Sequence, residues 1–90
     1  MWLSTAANYV ELHLPNRIIL HRTTISAMEE RLPKSQFLRL HRTAIVRIDA
    51  IRRLEISEEA SHVAVLRNGD KVKVSDTHIK KLKKMLMQSL

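Results

Sequence analysis

Cysteine is missing from all 90 residues, which removes disulfide frameworks, thiol nucleophiles and cysteine-based zinc sites from consideration. A reducing cytoplasm is the compartment such a chain fits. Glycine occurs once and proline twice, and no low-complexity tract or internal repeat is present, so nothing reads as a linker between domains. Ninety residues suffice for one core with little stability to spare. Long apolar runs are lacking too: Ile18 to Leu20 and Ala44 to Val46 fall far short of the roughly 20 residues that span a bilayer, and no signal peptide is visible. Acidic residues are the scarcer charge, nine against sixteen Lys and Arg. The resulting net charge of +7 favours nucleic acid, an anionic membrane or an acidic protein as partner.

Catalytic patterns are also missing. A hydrolase needs a nucleophile beside an oriented base, and no Gly-x-Ser-x-Gly turn or equivalent is present. His13, His21, His41, His62 and His78 lack close metal-ligand spacing such as His-x-x-x-His. The expectation is therefore no enzyme, no cofactor, no metal and no small-molecule substrate.

What is present reads mainly as β-structure. From Tyr9 to Leu14, apolar Val10, Leu12 and Leu14 alternate with Tyr9, Glu11 and His13, the period of a half-buried strand. Pro15-Asn16 marks a turn. An odd-numbered connection would let Ile18 and Leu20 continue the apolar face, with Leu14 opposite Ile18, Leu12 opposite Leu20 and His21 opposite Glu11. Between Thr24 and Leu32, Ile25, Met28 and Leu32 recur at helical spacing, with either Thr24 as N-cap or a Ser26/Glu29 capping box. Pro33 closes that helix. Strands are expected at Leu38 to His41, Ala44 to Ile48 and Ile51 to Ile56. His62 to Arg67 and Asp70 to Val74 flank Asn68-Gly69, which suits a two-residue type I′ turn with positive φ at both central residues. Beyond Ser75, the residues Ile79, Leu82, Leu86 and Leu90 form a stripe, with Lys80, Lys81, Lys83 and Lys84 crowding its start. This is a C-terminal amphipathic helix capped by Ser75, Asp76 or Thr77.

Three segments carry a family resemblance: Trp2 to Val10, with its small residues and Asn8-Tyr9; Phe37 to Ala50, with Phe37, Arg39, His41, Arg42 and Thr43; and Asn68-Gly69 through Val74-Ser75. In order and spacing the chain resembles a LytTR-type DNA-binding domain. The resemblance implies a mainly β domain of small antiparallel sheets with a short internal helix, an output module of bacterial transcriptional regulators whose loops enter successive major grooves. It covers nearly the whole of residues 1–90 as a single unit and begins abruptly at Met1. Either an upstream regulatory domain and part of the first strand are missing, or the chain is a complete small regulator. Sequence-specific double-stranded DNA, repeated sites and a homodimer on DNA are the partners it implies.

Carried over residue by residue, the resemblance makes Asn8, Arg42 and Thr77 candidates for base contacts. An asparagine amide pairs two ways with adenine and an arginine fork two ways with guanine. Thr77 stands where arginine is common in the family, and Asp76 where a basic residue is frequent, so a carboxylate lies where phosphate repels it. Lys73, Ser75 and Lys80 match phosphate-contacting positions, chemistry that fixes register without reading sequence. His41 and Arg47 are supporting candidates; Arg47 replaces a usual asparagine.

Plainer readings stand beside these. Asn8 suits a turn position of left-handed geometry, His41 an internal polar tie, and the lysine run a solvated helix face. From another class, the basic amphipathic C-terminal helix suits a membrane-surface or protein-interaction module.

Overall fold

The computed structural model describes residues 1–88 and folds them into two antiparallel sheets and two α-helices. In chain order these are β1 (Trp2–Ala6), β2 (Tyr9–Leu14), β3 (Arg17–His21), α1 (Ile25–Arg31), β4 (Phe37–His41) and β5 (Ala44–Arg47). A 3-10 turn at Ile48–Ala50 leads to β6 (Ile51–Ile56), β7 (His62–Leu66), β8 (Lys71–Val74) and α2 (Asp76–Gln88). The larger sheet has the order β3-β2-β1-β5-β4 and the smaller β6-β7-β8. The mainly β architecture with two helices is the one the sequence pattern implies.

Two apolar clusters lie on opposite faces of the larger sheet. One joins Leu38, Leu40, Ala44 and Val46 to Ala64, Leu66, Val72 and Val74 of the smaller sheet and to Ile79 and Leu82 of α2. The other joins Leu3, Val10 and Ile45 to Ile25, with Met28 and Leu32 of the α1 region packed against them. β5 is thus covered on both faces, which is why Ala44-Ile45-Val46 reads as a continuous apolar run instead of alternating. At the start of α1, Thr24 accepts the Ala27 N–H at 3.1 Å; the cap contributes about 1 kcal/mol. The Ser26/Glu29 alternative is not used. Trp2 spans both sheets: its ring stacks on His13 at 4.0 Å and its Nε1–H donates to Asp70 Oδ2 at 3.1 Å.

Two turn expectations are corrected. Pro15-Asn16 is itself the whole β2–β3 connection, so Leu14 pairs with Arg17, Leu12 with Ile19 and Val10 with His21. A two-residue turn shifts the register by one from the odd-numbered connection, and one residue exchanges the faces of a strand. Ile18 and Leu20 consequently lie 56% and 59% exposed instead of extending the core. His21 does not face Glu11; it is His13, on β2, that lies 3.8 Å from Glu11 of its own strand and 2.8 Å from Ser4 Oγ of β1. The second correction concerns Asn68-Gly69. Leu66 N–H donates to Asp70 O at 2.8 Å and Gly69 N–H to Leu66 O at 3.0 Å, so the loop has three residues, Arg67 to Gly69. Only Gly69 has positive φ, at +96°, while Asn68 spends its amide on Asp70. That is a turn closed by a left-handed glycine, the common three-residue hairpin solution, in place of type I′.

Smaller shifts occur at element ends. β5 stops at Arg47 because Ile48 enters the 3-10 turn and its N–H bonds Gln36 O at 2.8 Å, and β7 stops at Leu66. Leu90 of the apolar stripe lies outside the described residues.

Candidate nucleic-acid interface

Strand direction decides which loops share an end of the molecule. β1 and β4 run toward the end where β2 and β5 begin, so the Ala7-Asn8 turn and the Arg42-Thr43 loop emerge side by side. A direct bond ties them, Thr5 N–H to Thr43 O at 3.0 Å. The β8–α2 junction is brought to the same end by Ser75 N–H, which donates to Leu40 O at 2.8 Å. Asn8, Arg42 and Thr77, separated by 34 and 35 positions in sequence, are all exposed there.

In the β1–β2 turn Ala7, not Asn8, carries positive φ, at +54°. Asn8 therefore has no left-handed backbone to explain it. The Arg42 loop is braced from behind by Arg39. Its Nε donates to His41 O at 2.8 Å, one terminal nitrogen to Arg42 O at 2.6 Å and the other to Glu29 Oε1 at 2.8 Å. A planar fork with five donors suits three acceptors held at fixed angles. The bulge between Arg39 and His41 in the β4–β5 pairing turns the loop at this point. His41 Nδ1 accepts the Thr43 N–H at 3.3 Å and lies 2.8 Å from Thr43 Oγ1, so the imidazole closes the loop on itself. The Arg42 guanidinium makes no hydrogen bond or ion pair among the described residues and is left to face solvent.

At the head of α2, Ser75 O accepts the N–H groups of His78 and Ile79 at 3.0 and 3.1 Å, and Ser75 Oγ lies 2.5 Å from His78 Nδ1. Burial holds His78 below the usual histidine pKa, helped by Arg39, His41 and Lys81 nearby and opposed by Glu29. With the imidazole proton on Nδ1 the Ser75 O–H is free to donate outward; with it on Nε2 the O–H donates to His78 Nδ1. Lys80 projects one turn further along the helix and Lys73 lies two residues before Ser75; both are exposed. Lys73 also borders a shallow hollow whose walls include Glu58 and Glu59, so acidic charge stands beside it.

Arg47 lies apart. It ends β5 opposite the Arg42 loop, and its Nε pairs with Asp49 at 3.0 Å. Arg39 is the residue that reading the sequence did not single out for a role, although it sits inside the Phe37 to Thr43 motif. The signal was a basic residue on the alternate face of a buried strand, where a partner is required. Among the described residues no group of three His, Asp or Glu is placed to hold a metal ion. No helix there is long and apolar enough to cross a membrane.

The LytTr DNA-binding domain family model matches residues 1–87, and the chain belongs to that family. The family is defined by DNA binding and is not an enzyme class. Two curated relatives are both named Sensory transduction protein LytT. The one from Bacillus subtilis (strain 168) is 33% identical over 63 residues, 70% of this chain and 26% of the relative. The one from Bacillus anthracis is 35% identical over 63 residues with the same coverage, 70% and 26%. The chain thus spans about a quarter of their length. A solved LytTr DNA-binding domain from Bacillus cereus superposes with a TM-score of 0.84 at 24% identity, covering 96% of this chain and 79% of that one. It establishes the likeness of fold.

Proposed function

We propose that this chain binds double-stranded DNA sequence-specifically as the output element of a bacterial transcriptional regulator acting in the cytoplasm. Arg42 and Asn8 read base edges in the major groove, Thr77 faces a third base, and Lys73, Ser75 and Lys80 hold the phosphate backbone. The observation that carries this reading is the convergence of the Asn8 turn, the Arg42 loop and the head of α2 on one end of the fold, with Arg42 presented by the Arg39 fork. His41 shapes that loop by bonding Thr43 and needs no contact with DNA of its own. Arg47 serves the opposite end of the molecule.

The same proposal includes two copies on repeated sites and an upstream regulatory domain, since the curated relatives are about four times longer than the matched portion. A membrane-surface role for α2 is disfavoured by Ile79 and Leu82, which are 8% and 0% exposed and are spent on the core. The test is binding to duplex DNA with single substitutions. Lys80→Ala should weaken all sequences alike and flatten the salt dependence by about one unit of slope. A loss confined to one sequence would contradict the division between backbone and base contacts.

A further inference from the structure

β3 ends at His21, which pairs with Val10, so the segment Arg22 to Thr24 leaves the sheet beside Tyr9 and Asn8. That segment is short and fixed at both ends, by the sheet and by the Thr24 cap on α1. Between it and the β1–β2 turn lies an open hollow of about 610 Å³ whose walls include Thr5, Asn8, Tyr9, Arg22, Thr23 and Thr24. The charge of these walls is one-sided. Beside the apolar Ala7, Ile25 and Ala27 they offer a guanidinium, hydroxyls and a carboxamide, and no carboxylate is among the lining residues. Arg22 is exposed and makes no hydrogen bond or ion pair among the described residues. Arg39, Arg47 and Arg53, by contrast, are ion-paired to Glu29, Asp49 and Glu55, whereas Arg22 shares its unpaired state with Arg42.

From this arrangement we infer that Arg22, with the Thr23 hydroxyl, forms a phosphate subsite that extends the DNA footprint beyond the Asn8 turn. The inference rests on the DNA-binding reading above. An arginine beside hydroxyl donors and free of acidic neighbours is the donor set a phosphodiester accepts. The hollow is continuous with Asn8, so a duplex whose base edge meets Asn8 carries its flanking backbone over Arg22. The basic surface at that end is then anchored on both sides of the Arg42 loop, by Lys80 at α2 and by Arg22 at the start of α1. Contacts on both sides fix the rotation of the domain about the groove, which a single flank cannot do.

The experiment measures duplex affinity of the full chain by fluorescence anisotropy at four salt concentrations, for wild type, Arg22→Gln, Arg22→Lys and Arg42→Ala. Two duplexes are used, one recovered by selection from a random pool and one of mixed sequence. Arg22→Gln should lower the salt slope by about 0.9, the value for one phosphate, and weaken both duplexes by the same several-fold factor. Arg22→Lys should restore the slope, since it keeps the charge. Circular dichroism spectra must coincide, and an exposed Arg→Gln change gives no reason for unfolding. An unchanged slope in Arg22→Gln, with Arg42→Ala impaired on the selected duplex, overturns the subsite and leaves the DNA-binding reading intact. A loss in Arg22→Gln restricted to the selected duplex overturns it as well, because it would make Arg22 a base reader. Absence of duplex binding by wild type overturns both readings together.

Discussion

Replacing Arg39 separates positioning from contact. Arg39→Met keeps an unbranched stem of similar reach and removes the fork that joins Glu29 to the carbonyls of His41 and Arg42. A hydrogen bond to a charged group is worth about 1.5–3 kcal/mol, and of the three that are lost two are to loop carbonyls. The loop is exposed, so its freed carbonyls recover water and the net cost falls to about 1.5–3 kcal/mol. The Glu29 carboxylate is 41% exposed, and its pairing adds less than about 1 kcal/mol after screening. A chain of this length has a total stability of about 5–13 kcal/mol, so the variant should fold with a lowered urea midpoint. Binding is the sharper readout. An Arg42 on an unbraced loop loses up to the 1–3 kcal/mol of a bidentate base contact, about 5- to 150-fold on a selected duplex. Mixed-sequence DNA should lose less than about threefold, because the phosphate contacts are untouched. Arg39→Lys should fail to rescue, since one ammonium cannot serve three fixed acceptors. Equal losses on both duplexes, or full rescue by lysine, would refute the bracing argument.

Further outcomes follow from the same geometry. Arg42→Ala should leave the unfolding curve unchanged and lower selected-site affinity by about 1–3 kcal/mol, with preference relaxed at one base position; footprinting of selected sites checks this. Leu82→Ala, at a position with no exposure, should cost about 2–5 kcal/mol in urea unfolding, because the side chain belongs to the buried cluster shared by α2 and the two sheets. His78 has its folded pKa lowered by burial, so the unfolded chain takes up the proton more readily. Stability should therefore fall as pH drops below about 6.5 and level off beneath the lowered folded value, a dependence that His78→Gln should remove in pH-dependent melts.

The alternation in Tyr9 to Leu14 and the stripe Ile79, Leu82, Leu86 were legible because each is set by neighbours within a few residues. Thr24 was legible as a cap for the same reason. The register of β3 was not: matching apolar residues across the turn favoured an odd connection, whereas Pro15-Asn16 closes the hairpin alone and leaves Ile18 and Leu20 outward. Asn68-Gly69 signalled a hairpin correctly but not its length, since Asn68 was free to bond Asp70 by its side chain and leave Gly69 as the one left-handed residue. The candidate site was partly legible. Phe37 to Thr43 drew notice to Arg42, yet the Arg39 to Glu29 bond and the Thr5 to Thr43 and Ser75 to Leu40 bonds join residues far apart in sequence. Local periodicity carries no record of such pairs.

The most direct test of the central claim is selection of binding sites from a random duplex pool, at two salt concentrations, with wild type and Arg42→Ala in parallel. Wild type should recover one motif at both concentrations, and Arg42→Ala should blur it at one position. Binding without enrichment, vanishing as salt rises, would mean that the charge attracts DNA without reading it, and would contradict the account.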